Sequence, residues 1–318
     1  MPALLLFRLT GPPADPHRHA NGLRAFLFAC LERLPASVAD PVVERLRRNQ
    51  SALQGGAEPG TPLGTVFHDL QRLNPVTVGP LFPHPAGGLA LRLGVLVDEL
   101  IAPLVDLLCA TPEIRLGTAI YAIELPGALE AARSYAELLS PPPSRPMGVA
   151  FESPMAFHYQ PLDGRQSPWS YRLLRTVFGE GAEAAFAEKR RGGNRDPRKA
   201  LPWPDPDRCF FHWLSKWKMY SDVALREDLP NWVNRHVGVS AHEGRTVRVE
   251  LNEEGREGQG FSRPFIGYVG QVEFSLLRVK DVPDDVKREV WALARFATYC
   301  ATGVDTLRGM GQTLGPVP

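Results

Sequence analysis

From residue 3 to residue 10 the chain reads "ALLLFRLT", apolar side chains in the extended spacing of a strand. In "ANGLRAFLFACLERL" the apolar positions fall at Leu23, Phe26, Leu27, Cys30, Leu31 and Leu34, three and four apart, so one stripe of a helix faces a core. After a polar stretch to Gly64, "NPVTVGPLF" and "GLALRLGVLV" predict two strands. "VDELIAPLVDLLCA" then predicts a helix, and "RLGTAIYAIEL" a strand ending near Leu125. The order β-α-β-β-α-β is the split βαβ, or ferredoxin-like, unit: an antiparallel sheet with two helices on one face.

"ALEAARSYAELLSPPPSRP" reads as a link, and beyond it the pattern returns. "MGVAFESPMAF" predicts a strand, "DRCFFHWLSKWKMYSDVAL" a helix, "GRTVRVELNEE" and "GYVGQVEFSLL" two strands, and "DDVKREVWALARFATYC" a helix. "LRGMGQTLGPV" falls where the last strand belongs. The expected fold is α+β, two tandem ferredoxin-like (RRM-like) βαββαβ domains at residues 1–140 and 141–318, which suits a length of 318. A segment at 158–200 is an insertion that such a unit does not require.

Composition narrows the function classes. Hydrophobic residues make up 44% and charged residues 22%, the balance of a globular protein rather than a disordered one. With 36 basic against 35 acidic side chains there is no global basic field, so any nucleic-acid site must be local. Cys30, Cys109, Cys209 and Cys300 are isolated, without metal-ligand spacing, and read as buried free thiols of a cytoplasmic protein. No membrane span, signal peptide, metal cluster or HExxH motif is expected.

Three stretches carry candidate chemistry. "GVDTLRGMGQT", from Gly303 to Thr313, packs glycines that let backbone approach a ligand closely, or that simply bend an edge strand. Its spacing matches neither a Walker loop nor a dinucleotide fingerprint, so no nucleotide cofactor is expected. "EKRRGGNRDPRKA" sets six basic residues, among them Lys189, Arg190 and Arg191, against one aspartate between Lys189 and Lys199. It suits either a solvated loop or an arm that orders on RNA backbone. "HWLSKWKMY" interleaves Trp213, Trp217 and Tyr220 with Lys216 and Lys218 at helical spacing, which suits a buried aromatic stripe before it suits a base-stacking surface.

"FIGYVGQVEFSLL", followed by a helix ending "ARFATYCATGVDTLRGMGQT", resembles the C-terminal signature of the CRISPR-associated endoribonucleases that process precursor CRISPR RNA, members of the RAMP superfamily. Gly303, Val304, Thr306, Gly309, Gly311 and Gln312 match that family's loop, while Asp305 stands where it usually has lysine. Arg308 is then the loop's candidate cation. "RLGTAIYAIE", "VAFESPMAF" and "LPWPDPDRCFFHWLSKW" look like further landmarks in the family's order, leaving out 158–200 and a long segment at 35–64.

In "VFHDLQRLNPVTVG", His68 falls on the family's catalytic histidine, with Arg72 nearby to stabilise charge on a phosphate. An imidazole titrating near neutrality moves protons at the 2′-hydroxyl and the 5′-oxygen, as RNA transesterification requires. His17 and His19 are rival acid-base groups, and Arg18, His19 and Arg24 are candidate RNA contacts at the entrance to the first helix. Relatives that add a tyrosine in the first helix and a lysine shortly after the histidine have them where this chain carries Phe28 and Asn74. The resemblance implies metal-independent cleavage of CRISPR repeat RNA giving a 2′,3′-cyclic phosphate and a 5′-hydroxyl. The alternative is a non-catalytic RNA-binding subunit alongside other effector subunits, with monomer and homodimer both open.

Overall fold

A computed structural model describes residues 1–13, 19–49, 63, 74–124, 129–143, 146–158, 200–254 and 260–316. In the first half, β1 (Ala3–Thr10) is followed by α1 (Ala20–Glu32) and α2 (Ala36–Asn49). Then come β2 (Val76–Val78), β3 (Phe82–Pro83), β4 (Leu89–Val95), α3 (Ile101–Cys109), β5 (Glu113–Leu116), β6 (Ala119–Glu124), β7 (Leu129–Ala132) and α4 (Tyr135–Leu138). The strands form an antiparallel sheet in the order β2-β4-β1-β6-β5, with β3 beside β4 and β7 beside β1.

The second half repeats the plan with β8 (Met147–Met155), the short pair β9 (Phe157–His158) and β10 (Ala200–Leu201), α5 (Pro206–Tyr220), α6 (Leu229–His236), β11 (Val237–Glu254), β12 (Gly260–Leu276), α7 (Asp284–Cys300) and β13 (Thr313–Leu314). Its sheet runs β11-β12-β8-β13. In each half the first strand therefore lies between the third and fourth strands of its unit, the tandem ferredoxin-like arrangement the pattern predicts.

Local chemistry accounts for these elements. α5 starts at Asp205, whose side chain accepts from the Arg208 N–H, with Pro206 at the first helical position. α7 opens on Asp284 and Asp285, favourable against the positive end of its dipole. α1 buries Leu23, Leu27, Cys30 and Leu31, as its periodicity predicts, with Phe26 and Leu34 packed against the core.

Several expectations differ. The polar stretch after Pro35 contains α2, whose Ala39, Val42, Val43 and Leu46 are buried despite Pro41 within it. "RLGTAIYAIEL" is a hairpin, broken at Gly117, which takes φ 65°. The link contributes β7, paired with β1, and the strands before and after the second hairpin begin earlier than read, at Val237 and Gly260. Cys30, Cys209 and Cys300 are buried, but Cys109, at the end of α3, is exposed.

The two sheets share one continuous core. Tyr135, between them, packs edge-on against Trp217 with ring centroids 4.9 Å apart and lies 5.6 Å from Phe296, while its hydroxyl donates to Leu96 O. α2 ties the halves through Arg45, which donates to Glu99 at 2.6 Å and to Tyr220 O at 3.0 Å. Among the described residues no helix is long and apolar enough to cross a membrane.

Candidate functional site

The C-terminal end of α7 is where both halves converge. A helix leaves its last carbonyls without helical partners, and here other elements supply donors. Lys216 Nζ donates to Cys300 O at 2.6 Å, and Thr77 Oγ1, on β2, donates to Tyr299 O at 3.3 Å. Trp213 Nε1 donates to Thr302 Oγ1 at 2.9 Å, and that hydroxyl meets Thr313 Oγ1 at 2.7 Å. Lys216 is fully buried, and burial pulls its ammonium down to about 8, while burial pushes the neighbouring Cys300 thiol up to about 12.

From that fixed end the chain enters the glycine loop. Ala301, Gly303, Asp305, Gly309 and Gly311 take positive φ. At Gly311 the requirement is steric as well: a Cβ would stand 1.9 Å from Thr302 O. The close approach that this glycine permits is to the protein's own backbone. The N–H groups of Val304, Arg308, Met310, Gly311 and Gln312 donate respectively to Ala156 O, Asp305 O, Asp305 O, Pro154 O and Ser153 Oγ. Thr306 O accepts from Val78 N–H of β2 at 2.9 Å, so the loop is docked on the first sheet as well as the second.

Gly303, Thr306, Arg308, Gly309 and Gly311 are thus brought together in one docked loop. Arg308, half-buried, faces Asp305 at 3.5 Å. β2, on which the loop rests, is the strand that the His68 segment leads into, and Asn74 just before it is buried. His68 and Arg72 lie outside the described residues, as do His17, Arg18, Lys189, Arg190 and Arg191. His19 stands at the start of α1, its Nε2 3.3 Å from the hydroxyl of buried Tyr121. Arg24 lies over the Phe28 ring, 5.3 Å from its centroid. No cluster of three or more metal-ligating side chains occurs among the described residues.

The aromatic stripe of α5 is buried as expected, with Trp213, Trp217 and Tyr220 all inaccessible. Of the two lysines interleaved with these aromatics, Lys218 is exposed, whereas Lys216, three residues after Trp213, lies on the same buried face. Arg92 is buried as well, and a single arginine in "LALRLGV" carries no local sign of it.

Two ferredoxin-like sheets joined through a docked glycine loop are the class of fold that the sequence resemblance implies. The chain belongs to the CRISPR-associated endoribonuclease Cas6 family, whose pattern matches residues 149–313. Among solved structures it is similar to a Cas6 (TTHB231) product complex, with 20% identity, TM-score 0.65, and 99% of this chain and 100% of that chain covered. A Cas6 (TTHA0078) product complex aligns at 22% identity and TM-score 0.62, covering 99% of each chain. Thermus thermophilus Cas6 (TTHB231) aligns at 19% identity and TM-score 0.57, covering 99% of this chain and 98% of that one. No curated protein gives a significant match in sequence.

Proposed function

We propose that this protein cuts within CRISPR repeat RNA in precursor transcripts to release guide RNAs. The observation that carries this reading is the Cas6 family match across 149–313, which includes the whole glycine loop. The full-length likeness to Cas6 structures described as product complexes supports it. The RNA lies along the cleft between two units, residues 1–140 and 141–318, which meet at the loop.

The chemistry is transesterification without a metal. A base removes the proton from the 2′-hydroxyl, the 2′-oxygen attacks the adjacent phosphorus, and the bond to the 5′-oxygen breaks as that oxygen takes a proton. The products are a 2′,3′-cyclic phosphate and a 5′-hydroxyl. His68 is the acid-base group, because imidazole exchanges protons near neutrality, and Arg72 stabilises the charge that builds on the phosphorane oxygens. Arg308 is the loop's cation for the RNA backbone. His19, Arg18, Arg24, Lys189, Arg190 and Arg191 supply further contacts, and these fall on both halves of the chain.

The test is incubation of pure protein with end-labelled repeat RNA in EDTA. Wild type cleaves, His68→Ala binds without cleaving, and His19→Ala cleaves. Loss of cleavage in His19→Ala with retention in His68→Ala moves the acid-base role to His19. Binding without cleavage by wild type makes the chain a non-catalytic RNA-binding subunit.

A further inference from the structure

Arg92, on β4, is almost wholly buried, and its guanidinium is divided between the two sheets. Nε and Nη2 donate to the two carboxylate oxygens of Glu130 on β7, at 2.9 and 3.0 Å, a fork within the first sheet. Nη1 is left to cross to the second sheet, where it donates to Glu152 on β8 at 2.6 Å. The Phe82 ring lies 4.9 Å from the guanidinium carbon, which fixes the plane further.

Glu152 leads directly to the glycine loop. Its N–H donates to Gln312 O at 2.9 Å, and Gln312 N–H donates to Ser153 Oγ at 2.8 Å. The Gln312 side chain reaches back to the first sheet: its Oε1 stands 2.9 Å from where a Cβ on Gly79 would sit. Gly79 N–H in turn donates to Arg92 O at 2.7 Å. Arg92, Glu152 and Gln312 are thus linked by hydrogen bonds, and Gly79, bonded to Arg92 O, lies against the Gln312 side chain, two members from each half. Gln312 is also the residue that ends the family loop.

We propose that Arg92 is a positioning residue for RNA processing, holding the 303–312 loop in register against the first sheet through Glu152. The role in processing rests on the function proposed above. An ion pair of this kind is weak evidence for stability, and both carboxylates, with side chains 31% and 39% exposed, are able to rehydrate when the guanidinium is removed. What the pair supplies is direction. A lysine, a point charge without the fork, does not reproduce it.

Arg92→Met and Glu152→Gln test this in the full-length protein. Peptide-level hydrogen exchange without RNA should show faster exchange at 76–80 and 303–313 in both variants, with the sheet centres unchanged. Repeat-RNA binding, measured well below the melting temperature, should weaken about tenfold in both, the factor expected from losing a hydrogen bond to a charged group. The dependence on salt should stay parallel to wild type, because a lost phosphate contact lowers that slope by about one. Tighter binding by Glu152→Gln overturns the proposal, since it makes Arg92 a phosphate ligand restrained by its carboxylates. A lower melting temperature with unchanged exchange at the two segments overturns it too. If wild type does not bind repeat RNA, the function proposed above fails, and the exchange comparison still decides whether Arg92 holds the loop.

Discussion

Replacing Lys216 by methionine removes an amine from the fully buried face of α5 while keeping an unbranched apolar stem. Burial pulls this lysine from its ordinary 10.5 to about 8 in the folded protein. The sign follows from proton counting. Between about 8 and 10.5 the unfolded chain holds a proton that the folded protein has released, so stability rises with pH. The contribution is complete above 10.5 and gone once the pH has fallen through 8. At about 1.4 kcal/mol per pH unit, the whole gap is worth about 3 kcal/mol.

The thiols work in the opposite sense, because burial pushes Cys30 up to about 11 and Cys300 up to about 12, so their contribution is lost as pH rises above 9. They are present in both proteins, and the comparison cancels most of their effect. Urea unfolding of wild type and Lys216→Met at pH 7.5 and 9.5 is the assay. Wild type should gain about 2 kcal/mol on the variant across that interval. A flat difference, or one that falls with pH, refutes the reasoning and means that the amine is held charged by its carbonyl partner at Cys300.

Gly311→Ala should cost roughly 1–2 kcal/mol for its left-handed backbone, and more because the new methyl overlaps Thr302 O, at 1.9 Å. Gly117→Ala has a similar φ of 65° but nothing within 4 Å, so it should show the backbone cost alone; equal losses in thermal melts contradict the packing account. Arg295→Met leaves the carbonyls of Leu138, Ser140 and Pro141 without the guanidinium that now binds them at 2.8 to 3.2 Å. Urea unfolding should register a loss of about 2–3 kcal/mol, and a loss below the scatter of surface variants shows that water replaces the guanidinium at that link.

Where local signals agreed, the sequence was sufficient. α7 begins on two aspartates and carries Val286, Val290, Leu293 and Ala297 three and four apart, and it spans the residues its pattern marks. α2 is masked in the sequence by Pro41 and its many charges, although Ala39, Val42 and Leu46 keep the helical period. Its place depends on Arg45 reaching Glu99 and Tyr220 O, partners 54 and 175 residues away, which no local window contains. The glycine loop was legible as a backbone-approach motif. What the backbone approaches in this structure is Ala156 and Thr302 within its own half and, at Gly309, Pro80 of the first half, and this last contact depends on how the two sheets dock. The burial of Arg92 and Lys216 is not legible locally either, since a charged residue discloses its burial only through partners distant in sequence.

The matched range 149–313 seats its loop only in part: Ser153, Pro154 and Ala156 accept from it, but the Thr306 carbonyl is held by Val78 N–H of the first sheet. α7 ends on a Tyr299 carbonyl that accepts from Thr77, and Gly94 lies so close beneath it that a Cβ there would stand 2.0 Å from the same oxygen. Both residues belong to the first sheet, outside the family match. A bulkier residue at 94 lifts the end of α7 and with it Ala301, from which the loop departs, while loss of the hydroxyl at 77 leaves a buried carbonyl short of a donor, at a cost of about 1–3 kcal/mol. A first half grafted from a relative would therefore have to keep a residue without Cβ at position 94 and a hydroxyl at position 77 for the loop to dock on β2.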